Sequence, residues 1–94
     1  MIQMLKIKPS TQFKKDLKKF KHNLKVIHEL DSVIQILVQR KVLPAKYQDH
    51  SLTGNWKGFR DCHVKPDALL IYRLVEQDQL LVLERFGSHA ELFV

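Results

Sequence analysis

The spacing of apolar residues changes along this chain near Tyr47, and this change restricts the possible fold more than any other feature. Between residues 11 and 38, apolar side chains recur every three or four positions, which is the period of an amphipathic helix. After Tyr47 they alternate every second position, which is the period of a strand. Helices followed by a run of strands predict a protein of the α+β class.

Two helices are predicted in the first half of the chain. Ser10 or Thr11 can cap the first helix, and Asn23 can cap the second. The first helix has an apolar stripe and a lysine-rich remainder. The second has a wide apolar face, formed by Ile27, Leu30, Ile34, Leu37 and Val38 and broadened by Val26, Val33 and Ile36. The stripe of the first helix comprises Phe13, Leu17, Phe20 and Leu24. The short connection between the helices favours an antiparallel helical hairpin, and Pro44 is expected to open one further helical turn.

Four strands complete the prediction. Residues 3–8 alternate as a short N-terminal strand that Pro9 ends. Three later strands, separated by short turns, form an antiparallel meander over residues 56–64, 69–75 and 80–86. The second of these is apolar on both faces and is expected at the centre of the sheet. The sequence therefore predicts one domain over residues 1–94, with the hairpin packed on one face of a mainly antiparallel four-stranded sheet.

Charge and cysteine content limit the partners and the compartment. Sixteen Lys and Arg oppose ten Asp and Glu, and the formal net charge of +6 favours RNA, DNA or an acidic protein. Cys62 stands alone, so no internal disulfide and no paired-cysteine zinc motif can form. No apolar run approaches the roughly 20 residues of a membrane span. We therefore expect a cytoplasmic protein with no membrane partner.

Histidines and carboxylates gather in four segments outside the predicted helices: Asp49-His50, Asp61-Cys62-His63, Pro66-Asp67 and Ser88-His89. Two residues apart in a strand, Asp61 and His63 share one face. The same face is expected to carry Lys57, Phe59 and Lys65, while Cys62 and Val64 point towards the core. One face of the sheet is thus predicted to be polar and basic.

These residue types suit the cleavage of RNA at its own 2'-hydroxyl. That reaction needs a base for the hydroxyl proton, an acid for the departing 5'-oxygen and a cation for the charged phosphorane. Histidine can perform either proton transfer near neutral pH. His50, His63 and His89 together with Arg85 supply all of these groups without a metal.

The segment from Asp49 to Asp67 reads DHSLTGNWKGFRDCHVKPD. It resembles the signature of the YafQ-type toxins of the RelE superfamily, DHxLxGxWxGxRDxHVxPD. The resemblance continues through residues 70–72 and 84–89, and residues 13–18 are similar to the first helix of that family. It departs from the best-known member at Ala68, which replaces a tryptophan, and at Cys62, which replaces an alanine.

The resemblance implies a RelE-like fold and a specific activity. It implies the toxin of a type II toxin-antitoxin system, an endoribonuclease that cleaves mRNA on the ribosome and inhibits translation. No metal and no cofactor are implied. The implied partners are a DinJ-like antitoxin, mRNA and the ribosome, with operator DNA bound only through the antitoxin complex.

The resemblance also implies roles for single residues. His50, His63 and Asp67 match positions important for cleavage, and His89 matches the general acid. Four further residues are expected to contact the substrate or lie beside it: Asp61, Arg85, Phe93 and Lys57. Some residues also have a simpler structural interpretation. Trp56 and Tyr72 would pack in the core, and Asp67 would form a turn after Pro66. The lysines of the first helix would form a solvated surface.

Three alternatives remain open from the sequence. A ParE-like toxin would have the same superfamily fold but would poison DNA gyrase. A small zinc protein could use His50, His63, His89 and Asp61, since imidazole and carboxylate bind zinc, although no close ligand pair anchors such a site. A nucleic-acid-binding module without catalysis would use the basic face only to hold phosphate.

Overall fold

The fold of the chain was analysed in a computed structural model that describes residues 3–93. A five-stranded sheet has the order β1-β5-β4-β3-β2. Its strands are β1 (Lys6–Pro9), β2 (His50–Ser51), β3 (Arg60–Lys65), β4 (Ala68–Val75) and β5 (Leu80–Gly87). The helices are α1 (Thr11–Lys18), α2 (Leu24–Val38) and α3 (His89–Leu92). The predicted α+β class is confirmed, with β1 parallel to β5 and every other pairing antiparallel.

Both predicted helix caps are present. The Ser10 hydroxyl accepts a hydrogen bond from the Phe13 amide at 2.9 Å, and the Asn23 side chain accepts one from the Val26 amide at 3.3 Å. The predicted stripe of the first helix is wrong at Leu24, which is 69% exposed. Leu24 begins α2 after a turn, so the period of α1 does not continue to it.

The buried face of α2 is rotated from the predicted one. Val26 and Val33 are buried, whereas Ile27 and Ile34 are only partly covered. Leu30, Leu37 and Val38 are buried as expected. The prediction placed Ile27 and Ile34 at the centre of the apolar face and Val26 and Val33 at its margin, whereas in the structure the two valines are the more deeply buried pair.

The strands differ from the prediction in number and in their ends. His50–Ser51 pairs with β3 as an additional strand, so the sheet has five strands rather than four. Trp56 lies in a 3-10 turn, and β3 begins only at Arg60. Gly54 and Gly58, with φ of +63° and +95°, break the extended backbone that the alternation predicted. Pro9 is the last residue of β1, an edge strand, where a missing amide hydrogen is tolerated.

The main core lies between the sheet and the helices α1 and α2. Its fully buried side chains include Tyr72, Phe86 and Leu70, and Cys62 and Val64 point into it as predicted. β4 is central, also as predicted, but Leu74 at its far end is 43% exposed.

The opposite face of the sheet has a smaller apolar cluster. Leu69, Ile71 and Leu92 are buried there, and they pack with Leu52, Trp56, Phe59 and Phe93. The face predicted to be polar and basic therefore also has an apolar centre, of which only Phe59 was predicted. No helix in residues 3–93 has the length and hydropathy needed to cross a bilayer.

Candidate active site

Four residues lie in one line across the strands, and we call them the transverse row: His50, Asp61, Ile71 and Arg85. His50 is opposite Asp61, Asp61 is opposite Ile71, and Ile71 is opposite Arg85. Side chains that are directly opposite in paired strands share a face. Since Ile71 belongs to the smaller cluster, the row lies on the face opposite α1 and α2. Residues from β2, β3 and β5 are thereby brought together, although they are far apart in sequence.

Asp61 is the buried carboxylate of this row. Its side chain is nearly inaccessible, and its Oδ1 atom has no hydrogen-bond partner among the described residues. The His63 Nε2 atom lies 4.0 Å from Oδ1. Burial raises the pKa of Asp61, and the electrostatic attraction of His50, His63 and His89 partly opposes that increase. One desolvated carboxylate therefore interacts with three imidazoles.

Replacement of Asp61 by Asn is expected to stabilise the fold while impairing the site. Because folding raises the Asp61 pKa above 3.8, the protein loses stability as the pH rises through that folded pKa. Asp61→Asn should therefore increase the free energy of unfolding at pH 7 by about 0.5–2 kcal/mol. The gain should disappear below about pH 3.8, which urea denaturation at both pH values can measure. Asp31→Asn, on the exposed side of α2, is the matched control, and a loss of stability at pH 7 would contradict the argument.

His50 has the geometry of a general base. Its Nδ1 atom lies 2.8 Å from the carbonyl oxygen of Gln48, which can only accept a hydrogen bond. In neutral His50 the proton is thus on Nδ1, and Nε2 has the free lone pair. Gln48 has a left-handed backbone, with φ of 50°, and this turns its carbonyl towards the ring.

The residues on either side of His50 are fixed by a partly buried hydrogen-bond network. The Asp49 carboxylate accepts hydrogen bonds from Arg60 Nε and Nη2, both at 3.2 Å, and from the Tyr72 hydroxyl at 2.6 Å. Arg60 Nη1 also donates to the Ser51 hydroxyl at 2.8 Å. Burial and the bond to Asp49 raise the pKa of Tyr72, so its hydroxyl remains a donor. Core packing was the predicted role of Tyr72, and the structure adds this positioning role.

The sequence analysis did not identify Asp49 and Arg60 as site residues. The sequence nevertheless contained an indication of their role, because each directly precedes a predicted site residue, in the segments Asp49-His50 and Arg60-Asp61. Their pairing depends on the register between β2 and β3, and β2 was not predicted.

His89 lies at the end of β5, close to the turn between β3 and β4. It is the first residue of α3, whose Ser88 cap and Glu91 form a reciprocal capping box. The His89 amide is 3.5 Å from Asp67 Oδ1, and its ring packs on Phe93 with a centroid distance of 4.9 Å. Asp67, His89 and Phe93, which were predicted separately, therefore form one group. Phe93 supports the imidazole directly, so contact with a base is not its only available role.

Gly87 permits this arrangement. A Cβ atom at Gly87 would lie 3.1 Å from the Glu91 Oε1 atom, which is part of the capping box. Gly87 is the last residue of β5, and Ser88 follows it as the cap of α3. A side chain at this position would require the Glu91 carboxylate to shift by a few tenths of an ångström.

Arg85 is held by α1. Its Nε and Nη2 atoms donate to the Asp16 carboxylate at 2.8 and 3.2 Å, while Nη1 has no partner among the described residues. Asp16 is 2% exposed and also accepts from the Phe86 amide at 3.0 Å. Lys57 lies in the turn before β3 and is exposed. The structure therefore does not place Lys57 beside the transverse row. A continuous strand from Trp56 would have brought Lys57 closer to the row.

Comparison with known proteins shows which family the chain resembles. A sequence model of the family described as "Bacterial toxin of type II toxin-antitoxin system, YafQ" matches residues 5–94. The chain belongs to the YafQ toxin family. The mRNA interferase toxin YafQ of Escherichia coli K12 is 46% identical over 88 residues, covering 93% of this chain and 94% of the relative.

Solved structures confirm the YafQ fold. The E. coli DinJ-YafQ toxin-antitoxin complex matches with a TM-score of 0.85 at 44% identity, covering 99% of this chain and 100% of the matched chain. A copper-bound mutant toxin from Helicobacter pylori matches with a TM-score of 0.86 at 46% identity, covering 96% and 100%. In this YafQ-family chain, residues 3–93 contain no group of three His, Cys, Asp or Glu side chains arranged to hold a metal ion.

Proposed function

We propose that this protein, as one domain over residues 1–94, is a toxin that cleaves mRNA on the ribosome and so inhibits translation. Membership of the YafQ family supports this activity, as does the name mRNA interferase of its E. coli relatives. The observation that carries the proposal is the buried Asp61 carboxylate, which lies opposite His50 across the strands and 4.0 Å from His63. A gyrase-poisoning toxin would have no use for this arrangement of proton-transfer groups.

His50 and His89 divide the two proton transfers. His50 Nε2 removes the proton of the 2'-hydroxyl, whose oxygen then attacks the adjacent phosphorus. The bond to the 5'-oxygen breaks, His89 protonates that oxygen, and a 2',3'-cyclic phosphate remains. Asp61 favours the imidazolium that forms on His50, because a desolvated carboxylate attracts a nearby cation strongly.

Three other residues assist: His63 and Arg85 bind the reacting phosphate, and Asp67 orients the acid. His63, beside Asp61, is placed to donate a hydrogen bond to a non-bridging oxygen. Arg85 keeps Nη1 available for phosphate, while its pairing with Asp16 fixes the guanidinium. Asp67 contacts the His89 backbone and so orients the proposed acid. Lys57 and Phe93 would contact more distant parts of the RNA.

The proposed partner is a DinJ-like antitoxin. The solved E. coli DinJ-YafQ complexes support this partner, and the net charge of +6 suits an acidic protein segment. Operator DNA would be bound only through that complex, and both proteins would act in the cytoplasm.

The activity can be tested with purified ribosomes programmed with a defined mRNA. We expect cleavage that requires the ribosome and leaves a 2',3'-cyclic phosphate, detected by primer extension and end-group analysis. His50→Ala should abolish cleavage, whereas His28→Ala, on the exposed side of α2, should retain it. Intact mRNA with the folded protein, or inhibition of gyrase supercoiling in a parallel assay, would refute the proposal.

The same assay tests the absence of a metal requirement. Because the acid, the base and the phosphate ligands are all side chains, cleavage should persist when transition metals are chelated and magnesium is kept constant. The chelation experiment is needed because a related toxin from H. pylori has been solved with bound copper. If chelation stops cleavage and one equivalent of zinc or copper restores it, the reaction depends on metal.

A further inference from the structure

A hollow of about 330 Å³ adjoins the transverse row on the same face of the sheet. Arg73 on β4 is opposite Val82 on β5, and Val82 is opposite Lys8 on β1, so these three residues form a second line across the sheet. Pro9 and the buried Val82 contribute an apolar floor. Lys8, Arg73, Asp78 and Glu84 contribute a charged rim. The volume lies within the usual range of small-molecule sites, roughly 300–1,000 Å³.

The two lines of residues are immediate neighbours. Ile71 and Arg73 are two positions apart on β4, so their side chains share a face and are separated by about 7 Å. The register between β4 and β5 shifts after Ile71, and the bulge contains Glu84. The Ser10 hydroxyl donates to the Glu84 carbonyl at 2.7 Å and holds this bulge. A single RNA strand whose phosphate lies at the transverse row can therefore extend a neighbouring nucleotide into the hollow.

Arg73 presents a flat cationic surface at the entrance. Its guanidinium lies 5.4 Å from the centre of the Phe59 ring, which packs edge-on against Trp56 at 5.3 Å. Within residues 3–93, neither Arg73 nor Lys8 forms an ion pair. Arg73 is otherwise exposed, so its guanidinium is accessible to a ligand. Arginine planes and aromatic rings are the surfaces on which single-stranded RNA bases stack.

We propose that this hollow binds the base of a nucleotide next to the scissile phosphate. Arg73 stacks on the base, Lys8 pairs with its phosphate, and Glu84 accepts a hydrogen bond from an exocyclic amino group. The carboxylate favours bases that have such a donor, as adenine, cytosine and guanine do. This inference rests on the proposed function, because the transverse row defines where the scissile phosphate lies.

The test combines Arg73→Ala with a scan of abasic nucleotides around the cleaved bond. In the ribosome assay, the variant should lower kcat/KM by about 5- to 150-fold, the usual contribution of one stacked base. One abasic position should lower the wild-type value equally, and it should have little further effect on Arg73→Ala. Lys25→Ala, which removes an exposed cation from α2, should leave kcat/KM unchanged. Arg73→Gln removes the guanidinium but keeps part of the side chain, so a similar loss in this variant would not come from a folding defect.

Binding separates this inference from the proposed activity. Fluorescence anisotropy with a fully 2'-O-methylated oligoribonucleotide should show the same coupling between Arg73 and one base, and Glu84→Gln should reduce the preference for cytosine over uracil. If this coupling is present but no cleavage occurs, the proposed function fails and the binding site stands. If no abasic position couples to Arg73, the inference fails. It also fails if Arg73→Ala weakens antitoxin binding alone, because the face would then be an antitoxin surface.

Discussion

The His89→Ala variant is expected to cleave mRNA about 100- to 10,000-fold more slowly than the wild-type protein, which is the usual contribution of a positioned proton donor. His89 is exposed on the four-residue helix α3, so its loss should leave the core and the antitoxin affinity nearly unchanged. Two contacts in the structure would hold His89 in place as the proposed proton donor. Asp67 contacts its backbone, and the Phe93 ring restricts its imidazole.

A modified substrate distinguishes proton donation from a structural effect. When sulfur replaces the 5'-bridging oxygen, the leaving group no longer needs a proton. This substrate should rescue His89→Ala but not His50→Ala, while His22→Ala, an exposed histidine in the turn between α1 and α2, should behave as wild type on both substrates. If His89→Ala and His50→Ala fail equally on the sulfur substrate, His89 is not the general acid.

The largest effect on stability is expected at Asp16, whose carboxylate accepts hydrogen bonds from Arg85, Phe86 and Gln12. Asp16→Ala should lower the free energy of unfolding by about 3–5 kcal/mol, because it leaves a partly buried guanidinium without its counterion. A typical domain has only about 5–15 kcal/mol in total. Urea denaturation at pH 7 measures the loss, with Asp31→Ala as the control for an exposed carboxylate.

The same carboxylate predicts a dependence on pH. Burial alone would raise the pKa of Asp16, but hydrogen bonds from Arg85, Phe86 and Gln12 outweigh it and lower the pKa below 3.8. Asp16 therefore stabilises the fold above pH 3.8, and this contribution is lost as the pH falls through the lower folded pKa. The stability difference between wild type and Asp16→Ala should shrink below pH 3.8. A difference that stays constant down to pH 2 would show that the carboxylate charge is not its source.

Local patterns in the sequence predicted much of the fold. Helix caps depend on one side chain and the next three residues, so Ser10 and Asn23 were identified correctly. The double-sided apolar run of β4 required burial on both faces, and this placed the strand at the centre. The period of two also separated Cys62 and Val64 from Asp61 and His63 correctly.

The hydrogen-bond networks and the strand β2, which were not predicted, depend on distant pairings. Nothing local indicates that Asp16 accepts from Arg85, 69 residues later, or that Asp49 accepts from Tyr72. β2 has only two residues and no detectable period, so it becomes a strand only because β3 offers a partner. The proposed site residues came from motif resemblance, and the network that orients them became visible only in three dimensions.

The pairing of β1 with β5 determines when, during synthesis, a new chain can complete its fold. Ser10 bonds to Glu84, 74 residues later, and Asp16 bonds to the Phe86 amide, 70 residues later. Contacts this distant must overcome a large loop-closure entropy and generally slow folding. A ribosome that has not yet released β5 holds a chain whose first strand has no neighbour and whose transverse row has no Arg85. Each round of synthesis therefore includes an interval in which the nascent toxin is incompletely folded and inactive. Antitoxin made earlier can already be present when that interval ends.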